Sequence, residues 1–508
     1  MSRLDDFLKE AAGIDSDGRP VSLNENPAKL SNKPSEAYGH PSISNVNSTF
    51  ACDPYSLRPP ENDVQYAEAI ADTLVGYVRY DRTQETWLCF DSEAGWMRDS
   101  KDLVIRMFAE YAQQNVVDPI GLGPRGVQEW HSQHKKLLDL GNHRRITNAM
   151  ALLQTDPRIA MRTEDVDADP SIIGCKNGIL NLKTGRFTPF IPEKLVTRRL
   201  HVRYDPDAKA PNFIKFLERV QPDEGMRRFL QRFSGYALSG EIRDHVIAFH
   251  YGTGANGKGT FLEQVLLRML GDYGAKLTDS LVYKTKHGNP PHLEIAGLAG
   301  CRFALGEENQ SQGLLNEQLL KAISGGDRLK GRFHHANFFE YFPGYKIHLV
   351  GNHKPIIKGT DDGIWRRFLL IDWPVQIPPE ERDPKLKDRL EAEFSGILNW
   401  FLEGYRAWND SGLNPPERCK EASSAFRAES DDLRDFIEEA LIESPSAEIG
   451  KGALFNRYQQ WSNDSGIRSQ MTKKALGAAL IQRGWRDAIS SKLRQRVWVG
   501  WRLNEYPA

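Results

Sequence analysis

The stretch that decides the fold class is His250-Tyr251-Gly252-Thr253-Gly254-Ala255-Asn256-Gly257-Lys258-Gly259-Thr260. An apolar run from Val246 to Phe249 leads into it, and Leu262, Val265, Leu266, Met269 and Leu270 follow at helical spacing until Gly271. The order is strand, glycine-rich loop, amphipathic helix. A polyphosphate needs many backbone N–H donors converging on it. Gly252, Gly254 and Gly257 supply residues free to take positive φ, with no side chain in the way. Lys258 adds a point charge for the β and γ phosphates, and the helix places its N-terminal dipole at the loop. This is the pattern of a P-loop. It predicts a nucleotide site over residues 252–260, Thr253, Ala255 and Asn256 included.

The pattern departs from its commonest form in one place. Gly259 stands where a hydroxyl usually holds Mg2+, and the hydroxyl comes one residue later, at Thr260. Small-molecule kinases also carry Gly-Lys-Gly-Thr, so the loop predicts a nucleotide and leaves its use open. A glycine-rich turn with an unrelated lysine is the bland alternative, and the strand before and the helix after argue against it.

With 508 residues, 40% of them hydrophobic and 27% charged, the chain has the composition of a soluble protein of about three domains. No apolar run approaches a membrane span and Met1 to Glu10 is charged, so neither a membrane partner nor a secretory signal is expected. Cys52, Cys89, Cys175, Cys301 and Cys419 form no Cys-x-x-Cys pair, which argues against a disulfide framework and a zinc ribbon and for reduced thiols in a cytoplasm. A net charge of -1 gives no general pull towards nucleic acid; such contacts must come from local patches.

Residues 1–60 are rich in chain breakers without apolar periodicity and are expected to be mostly disordered. A helix from Val64, apolar runs Val78-Arg79-Tyr80 and Trp87-Leu88-Cys89-Phe90, and a closing Gly95-Trp96 predict a small α/β domain over 61–205. His131, His134, Lys135, Lys136, His143, Arg144 and Arg145 form a basic helical segment, for which a solvated helix face is the commoner explanation. Asp165, Asp167 and Asp169 alternate in the manner of metal-binding acids, but Pro170 follows and no strand flanks them, so a loop is expected. Asn177-Gly178 and Thr184-Gly185 predict a structural hairpin. A helical connector over 206–240 then delivers the chain to the P-loop strand.

Beyond the P-loop helix, Arg302-Phe303-Ala304-Leu305-Gly306-Glu307-Glu308 is an apolar strand ending in paired acids. A nucleotide hydrolase needs such a strand beside its P-loop, with one carboxylate for Mg2+ and its neighbour to orient and deprotonate water. A third strand, Lys346 to Val350, ends at Asn352, a polar residue where α/β sheets place ligand contacts. Arg366 and Arg367 precede a fourth strand, Phe368 to Trp373, and suit an arginine finger.

Taken in order, the P-loop, Glu307-Glu308, Leu320-Lys321-Ala322-Ile323-Ser324-Gly325-Gly326-Asp327, Asn352 and Arg366-Arg367 resemble the motifs of superfamily 3 helicases. More narrowly, the chain resembles the phage/plasmid primase-helicase family, relatives of the poxvirus primase-helicase. Trp87 to Trp96 and Asn177 to Leu182 extend the likeness upstream, over roughly residues 62–375. The resemblance implies a P-loop, AAA+-like α/β core over 241–410 that works as a homohexamer. It implies Lys258 and Thr260 on phosphate and Mg2+, Glu307 on the metal, Glu308 on the attacking water and Asn352 sensing the γ-phosphate. Arg367, in preference to Arg366, would be a finger reaching into a neighbour's site. The segment between Asp327 and Lys346 corresponds to a hairpin that projects into the ring's channel, with Lys330, Arg332, His334, His335 and Asn337 near its tip to track a phosphate backbone. Phe333 and Phe338 are suited to stack or to brace the hairpin, while Phe338, Phe339 and Phe342 are expected in the core.

Past Pro415-Pro416 the charge polarises. Residues 428–448 hold eight acids and one arginine, and 451–502 hold eleven Lys and Arg against two acids. Helices near Leu454 to Trp461 and Thr472 to Arg483, then an alternating Arg494 to Val499, predict a winged helix over 428–508. Lys473, Lys474 and Arg483 would face DNA if its second helix enters a groove; a basic face that touches only protein is the alternative. The expected function is an ATP- and Mg2+-dependent ring that unwinds single-stranded and forked DNA in the replication of a phage, prophage or plasmid, in a bacterial host cytoplasm. A separate primase or origin-binding protein is its candidate partner. A bifunctional primase-helicase is the first rival, although about 60 residues before the first domain leave no room for a polymerase domain. A small-molecule kinase would leave the Gly-Gly-Asp block, Asn352 and the basic tail unexplained, and a passive origin-binding protein would leave the paired acids unexplained.

Overall fold

The structure, a computed structural model, describes residues 60–504 except 101, 115–127, 129–130, 133–134, 137, 285–291, 308–312, 334–336, 359–361 and 467–469. The N-terminal segment expected to be disordered lies outside the described residues but for Pro60, as do His134, Glu308, His334 and His335. The chain is a mixed α/β protein that divides into two compact units. One is Met1–Ala168 with Asn177–Ile179 and Thr188–Thr197; the other is Asp169–Lys176, Leu180–Phe187 and Arg198–Ala508.

In the first unit the helix Asp63–Leu74 begins at Asn62, whose side chain accepts the Gln65 N–H, and it buries Tyr66, Ile70, Ala71 and Leu74 at helical spacing. The strands β1 (Val78–Asp81), β2 (Thr86–Asp91), β3 (Gly95–Arg98) and β4 (Ala160–Met161) form a sheet of order β3-β2-β1-β4. Gly95-Trp96 thus opens a third antiparallel strand instead of closing a two-stranded hairpin. The basic segment is partly structural: Arg145 pairs with Asp63 at 2.9 Å and Asp139 at 2.8 Å. Asp165 and Asp167 do loop work, accepting the Arg162 N–H at 2.9 Å and the Thr197 N–H at 3.0 Å.

The strands β5 (Ile172–Cys175), β6 (Gly178–Asn181) and β7 (Phe187–Thr188) come next, with the Asn177-Gly178 turn between the first two. In the second unit the helical connector is two helices, Pro211–Val220 and Glu224–Tyr236. The central sheet contains β8 (Ile247–Tyr251), β9 (Gly274–Lys276), β10 (Phe303–Glu307), β13 (Lys346–Gly351) and β14 (Phe368–Asp372). Between β10 and β13 the chain makes the small antiparallel pair β11 (Leu329–Gly331) and β12 (Phe339–Tyr341). The sheet order is β14-β8-β13-β10-β9 and every pairing is parallel. A parallel sheet must be covered on both faces, and here alternate residues go to opposite cores. Ala248, Phe303, Leu305 and Leu369 enter one core, whereas Ile247, Phe249, Ile347 and Leu370 enter the other. The acid-bearing strand β10 does not lie beside β8, the strand before the glycine-rich loop, as expected; β13, which leads to Asn352, is inserted between them.

The C-terminal segment has helices Asp432–Ala440, Lys451–Asp464 and Lys473–Gln482 with strands β15 (Leu441–Gly450), β16 (Arg486–Ser490) and β17 (Gln495–Leu503). The sheet is antiparallel, ordered β15-β17-β16, around a core that includes Phe436, Tyr458, Trp461, Leu480 and Trp498. Thr472 caps the last helix by accepting the Ala475 N–H, and Gly484 follows it at φ 80°. Arg483 does not face outward, because its guanidinium is tied to Asp431.

Candidate functional site

The loop after β8 takes the shape its glycines allow. A Cβ on Gly252 would meet Asn256 Nδ2 at 2.3 Å and the Trp373 carbonyl at 2.8 Å; one on Gly257, at φ 85°, would meet Val220 Cγ1 at 2.6 Å. Gly254 and Ala255 are also at positive φ, 94° and 48°. Successive residues of this kind turn backbone N–H groups inward into an anion-binding concavity. The helix that follows opens as a π-helix, Thr260–Leu267, and ends in an α-helical turn before Gly271. It buries Phe261, Leu262, Val265, Leu266, Met269 and Leu270, the stripe expected with Phe261 added. Gly259 is helical and a Cβ there would meet nothing within 4 Å, so no steric demand explains the missing hydroxyl. Thr253 is exposed and Thr260 half-buried.

Lys258 is 4% exposed, and its Nζ donates to the Gly252 carbonyl and to Asn352 Oδ1 at 3.2 Å. The sequence-predicted cation and sensor therefore meet directly, across neighbouring parallel strands. Glu307 ends β10 on the far side of β13; its Oε1 accepts from Lys276 Nζ at 2.9 Å, and Lys276 also pairs with Glu263 on the helix after the glycine-rich loop. The Glu263 and Glu307 carboxylates hold the Lys276 ammonium above its ordinary range. Neither Lys276 nor Glu263 was foreseen. Lys276 reaches the site only through a parallel pairing that no local pattern announces.

Arg366 and Arg367 are not brought to the cradle. The Ile247 N–H donates to the Arg367 carbonyl, which sets both arginines at the amino end of the sheet, whereas the loop leaves its carboxyl end. The five residues of β8, at ~3.3 Å each, separate the levels by about 16 Å. Arg366 is exposed; Arg367 is half-buried, donates from Nη1 to Gly363 O at 3.1 Å, and its buried Nε has no acceptor among the described residues.

Beneath the cradle, sequence reading missed a chain of three buried rings, His250 on β8, His348 on β13 and Trp373 just past the end of β14. The Trp373 indole N–H donates to His250 Nδ1 at 3.1 Å, and His250 Nε2 lies 3.0 Å from His348 Nδ1. Indole nitrogen can only donate, so His250 Nδ1 accepts and its proton sits on Nε2, which donates to His348 Nδ1. His348 therefore carries its proton on Nε2, which has no acceptor among the described residues and lies among the rings of Phe233 and Phe303. Burial pushes His250 well below its ordinary value, with His348 and Lys258 adding to the effect, and burial pushes His348 down to about 3. Both are neutral imidazoles.

The hairpin is only partly as expected. Lys330 and Arg328 both pair with Glu340 across it, at 3.3 and 3.4 Å, and Arg332 lies over the Phe338 ring at 4.8 Å. Phe338 and Phe342, expected in the core, are 53% and 65% exposed. The strands are three residues each, too short to cover large rings on both faces. Lys473 and Lys474 are exposed at the start of their helix.

The cradle fits a polyphosphate. Side chains are excluded from it at two positions, its lysine is buried beside carbonyl and amide oxygens, and buried Asn256 Nδ2 has no acceptor among the described residues. Thr260 and Glu307 offer hard oxygen donors of the kind Mg2+ takes. Among the described residues no group of three or more His, Cys, Asp or Glu is placed to hold a metal, and no helix is long and apolar enough to cross a membrane.

Residues 67–222 match the family model described as "D5 N terminal like". The chain is 25% identical over 321 residues to a protein of Acanthamoeba polyphaga mimivirus named "Putative helicase", covering 58% of this chain and 33% of that one. It is 29% identical over 282 residues to a "Putative helicase" of Frog virus 3, covering 51% and 28%. To a "Putative primase" of African swine fever virus it is 24% identical over 333 residues, covering 59% and 34%. The chain thus spans about a third of the length of these relatives. The solved apo structure of the NrS-1 C terminal region aligns over 87% of this chain and 99% of its own, at TM-score 0.49 and 11% identity, a likeness too slight to carry an argument. The family match falls on the segment upstream of the cradle, where Trp87 to Trp96 and Asn177 to Leu182 already pointed, and the viral relatives agree with it: the chain is similar to the primase-helicases related to the poxvirus primase-helicase.

Proposed function

We propose that the chain is the motor of a replicative DNA helicase, of superfamily 3 type, that hydrolyses ATP and translocates on single-stranded and forked DNA as a hexameric ring. The observation that carries the reading is the buried Lys258, held by Gly252 and Asn352 at the mouth of a glycine cradle on an all-parallel sheet. When ATP binds, Lys258 exchanges these two oxygens for phosphate, which frees Asn352 to respond to the nucleotide. Backbone N–H groups of residues 252–259 and the Asn256 amide orient the polyphosphate. Thr260 and Glu307 would hold Mg2+, which supplies charge neutralisation on the phosphates, and Lys276 must then release Glu307. Glu308, one residue further, is assigned to orient the attacking water.

The distance between Arg367 and its own cradle supports a finger that serves a neighbouring subunit, and Arg366 is the exposed alternative. Lys330 and Arg332, with His334 and His335 beside them in sequence, are assigned to the DNA backbone in the ring's channel. The arrangement of three helices and a three-stranded antiparallel sheet at the C-terminus supports a winged helix, with Lys473 and Lys474 on DNA. A relative named as a primase favours one second reading, a bifunctional primase-helicase whose primer-making part lies in another chain or another segment. Replication of a phage, prophage or plasmid remains the setting proposed from motif likeness, although these relatives come from large DNA viruses.

The test is ATPase rate with and without single-stranded DNA, combined with native mass. A hexamer stimulated by DNA is expected. A monomer that phosphorylates a small molecule and ignores DNA would overturn the reading in favour of a kinase.

A further inference from the structure

The β16–β17 hairpin has features its own packing does not require. Ile489 is 77% exposed near the end of β16, and Leu493 is 43% exposed between Lys492 and Arg494 in the turn after Ser490. From Arg486 to Leu503 there are five cations, Arg486, Lys492, Arg494, Arg496 and Arg502, against one acid, Asp487. That acid is already neutralised by Lys451 at 2.6 Å and by Arg496 at 3.7 Å. Arg494 has φ 50°, a conformation that glycine adopts without cost and a long side chain does not. A turn that keeps arginine where glycine would be easier is using the side chain for something outside the fold.

The neighbouring helix Lys473–Gln482 sharpens the point. Apart from Lys473 and Lys474 at its start, its exposed described residues are Ala475, Ala478 and Ile481, which offer no hydrogen bonds to base edges.

We propose that the hairpin turn 489–494 is a duplex-DNA contact that recognises backbone and groove shape and not base sequence. Lys492 and Arg494 engage phosphates, while Ile489 and Leu493 lie against the sugar walls of the groove, the mixed chemistry of a groove-inserting element. This rests on the DNA-acting reading above and adds to it a double-stranded contact apart from the β11–β12 hairpin and from Lys473 and Lys474.

The test uses the full chain, with duplexes of two unrelated sequences and a single strand of equal length, each titrated over a salt series. Lys492→Ala/Arg494→Gly should weaken binding to both duplexes alike and flatten the plot of log affinity against log salt by ~1.8, the share of two phosphate contacts. Its melting temperature should hold or rise, since Arg494→Gly relaxes the backbone, so the loss cannot be ascribed to unfolding. Ile489→Ser should cost about tenfold in duplex affinity, the scale of one aliphatic side chain leaving a partly dry contact, with the salt slope unchanged. ATPase stimulation by single strands should match the parent's in both variants. Parent-like duplex affinity and slope in the double variant would overturn the proposal and make the turn a protein or membrane contact; so would a strong preference of the parent for one duplex. If the parent's ATPase ignores DNA altogether, the motor reading fails first, whatever the turn does.

Discussion

The phosphate cradle and the β11–β12 hairpin belong to the same unit and are built on opposite principles. In the cradle the backbone shapes the site. Gly252 and Gly257 exclude side chains, Lys258 is buried, and its partners are a carbonyl and an amide oxygen. In the hairpin the side chains are everything: two three-residue strands lift Phe338 and Phe342 into solvent, with Arg332 and Arg328 over their rings at 4.8 and 5.0 Å. A site made of backbone tolerates almost no substitution, whereas one made of exposed side chains can be emptied without harm to the fold. Substitution should therefore separate hydrolysis from DNA response.

The largest expected effect is on the cradle. Lys258→Ala removes the only buried cation among the described residues of the loop and should abolish hydrolysis; measurable turnover at saturating ATP would break the comparison at its root. Next is the arginine pair. Arg367→Ala should lose about 10³ in turnover with near-normal nucleotide binding, the scale of a finger, and mixing with Lys258→Ala subunits should restore part of it. If Arg366→Ala shows the loss and Arg367→Ala does not, the exposed residue is the finger. No recovery at any ratio, with subunit exchange verified, would count against a site shared between subunits.

The hairpin should behave otherwise. Lys330→Ala/Arg332→Ala is expected to keep basal ATPase and lose its stimulation by single-stranded DNA. Phe338→Ala and Phe342→Ala should each weaken single-strand binding by ~1–3 kcal/mol if the rings stack on bases. Because these rings are mostly in water, melting temperatures should barely move. A fork unwound at the parent's rate by the combined variant would show that this hairpin does not move DNA.

The same contrast explains how much could be read beforehand. Strand, loop and helix around Lys258 were legible because glycine spacing and local apolar periodicity encode them, and Asn352 was legible because it ends an apolar run. The insertion of β13 between β8 and β10 was not, since sheet order depends on contacts of long sequence separation. The same blindness hid Lys276, whose strand pairs with β10 from twenty-nine positions upstream in the aligned pair Gly274 and Phe303. Phe338 and Phe342 were misassigned to the core because an apolar side chain in a short strand carries no sign of which face is covered. Arg483 looked like a DNA contact from its charge alone, while its partner Asp431 caps the helix Asp432–Ala440 inside the acidic run.

The smallest expected effect concerns His250 and His348, which stand between the two regimes as side chains that behave like scaffold. In the folded protein both stay neutral, because burial opposes the charge and Trp373 and His250 fix the tautomers. In the unfolded chain each takes up a proton near its ordinary value of about 6.5. The unfolded state therefore binds more protons below that pH, and the stability these groups permit, fully present above pH ~6.5, is lost as pH falls towards about 3 for His348. Each such imidazole steepens the loss by up to ~1.4 kcal/mol per pH unit. Denaturant midpoints at pH 7, 6 and 5 test this in a window above the titration of ordinary carboxylates. His348→Leu should start less stable, since it strands the His250 N–H, and should lose stability more gently with acid than the parent. Equal slopes would mean that His348 takes a proton inside the fold, and the donor order from Trp373 to His250 to His348 would have to be abandoned.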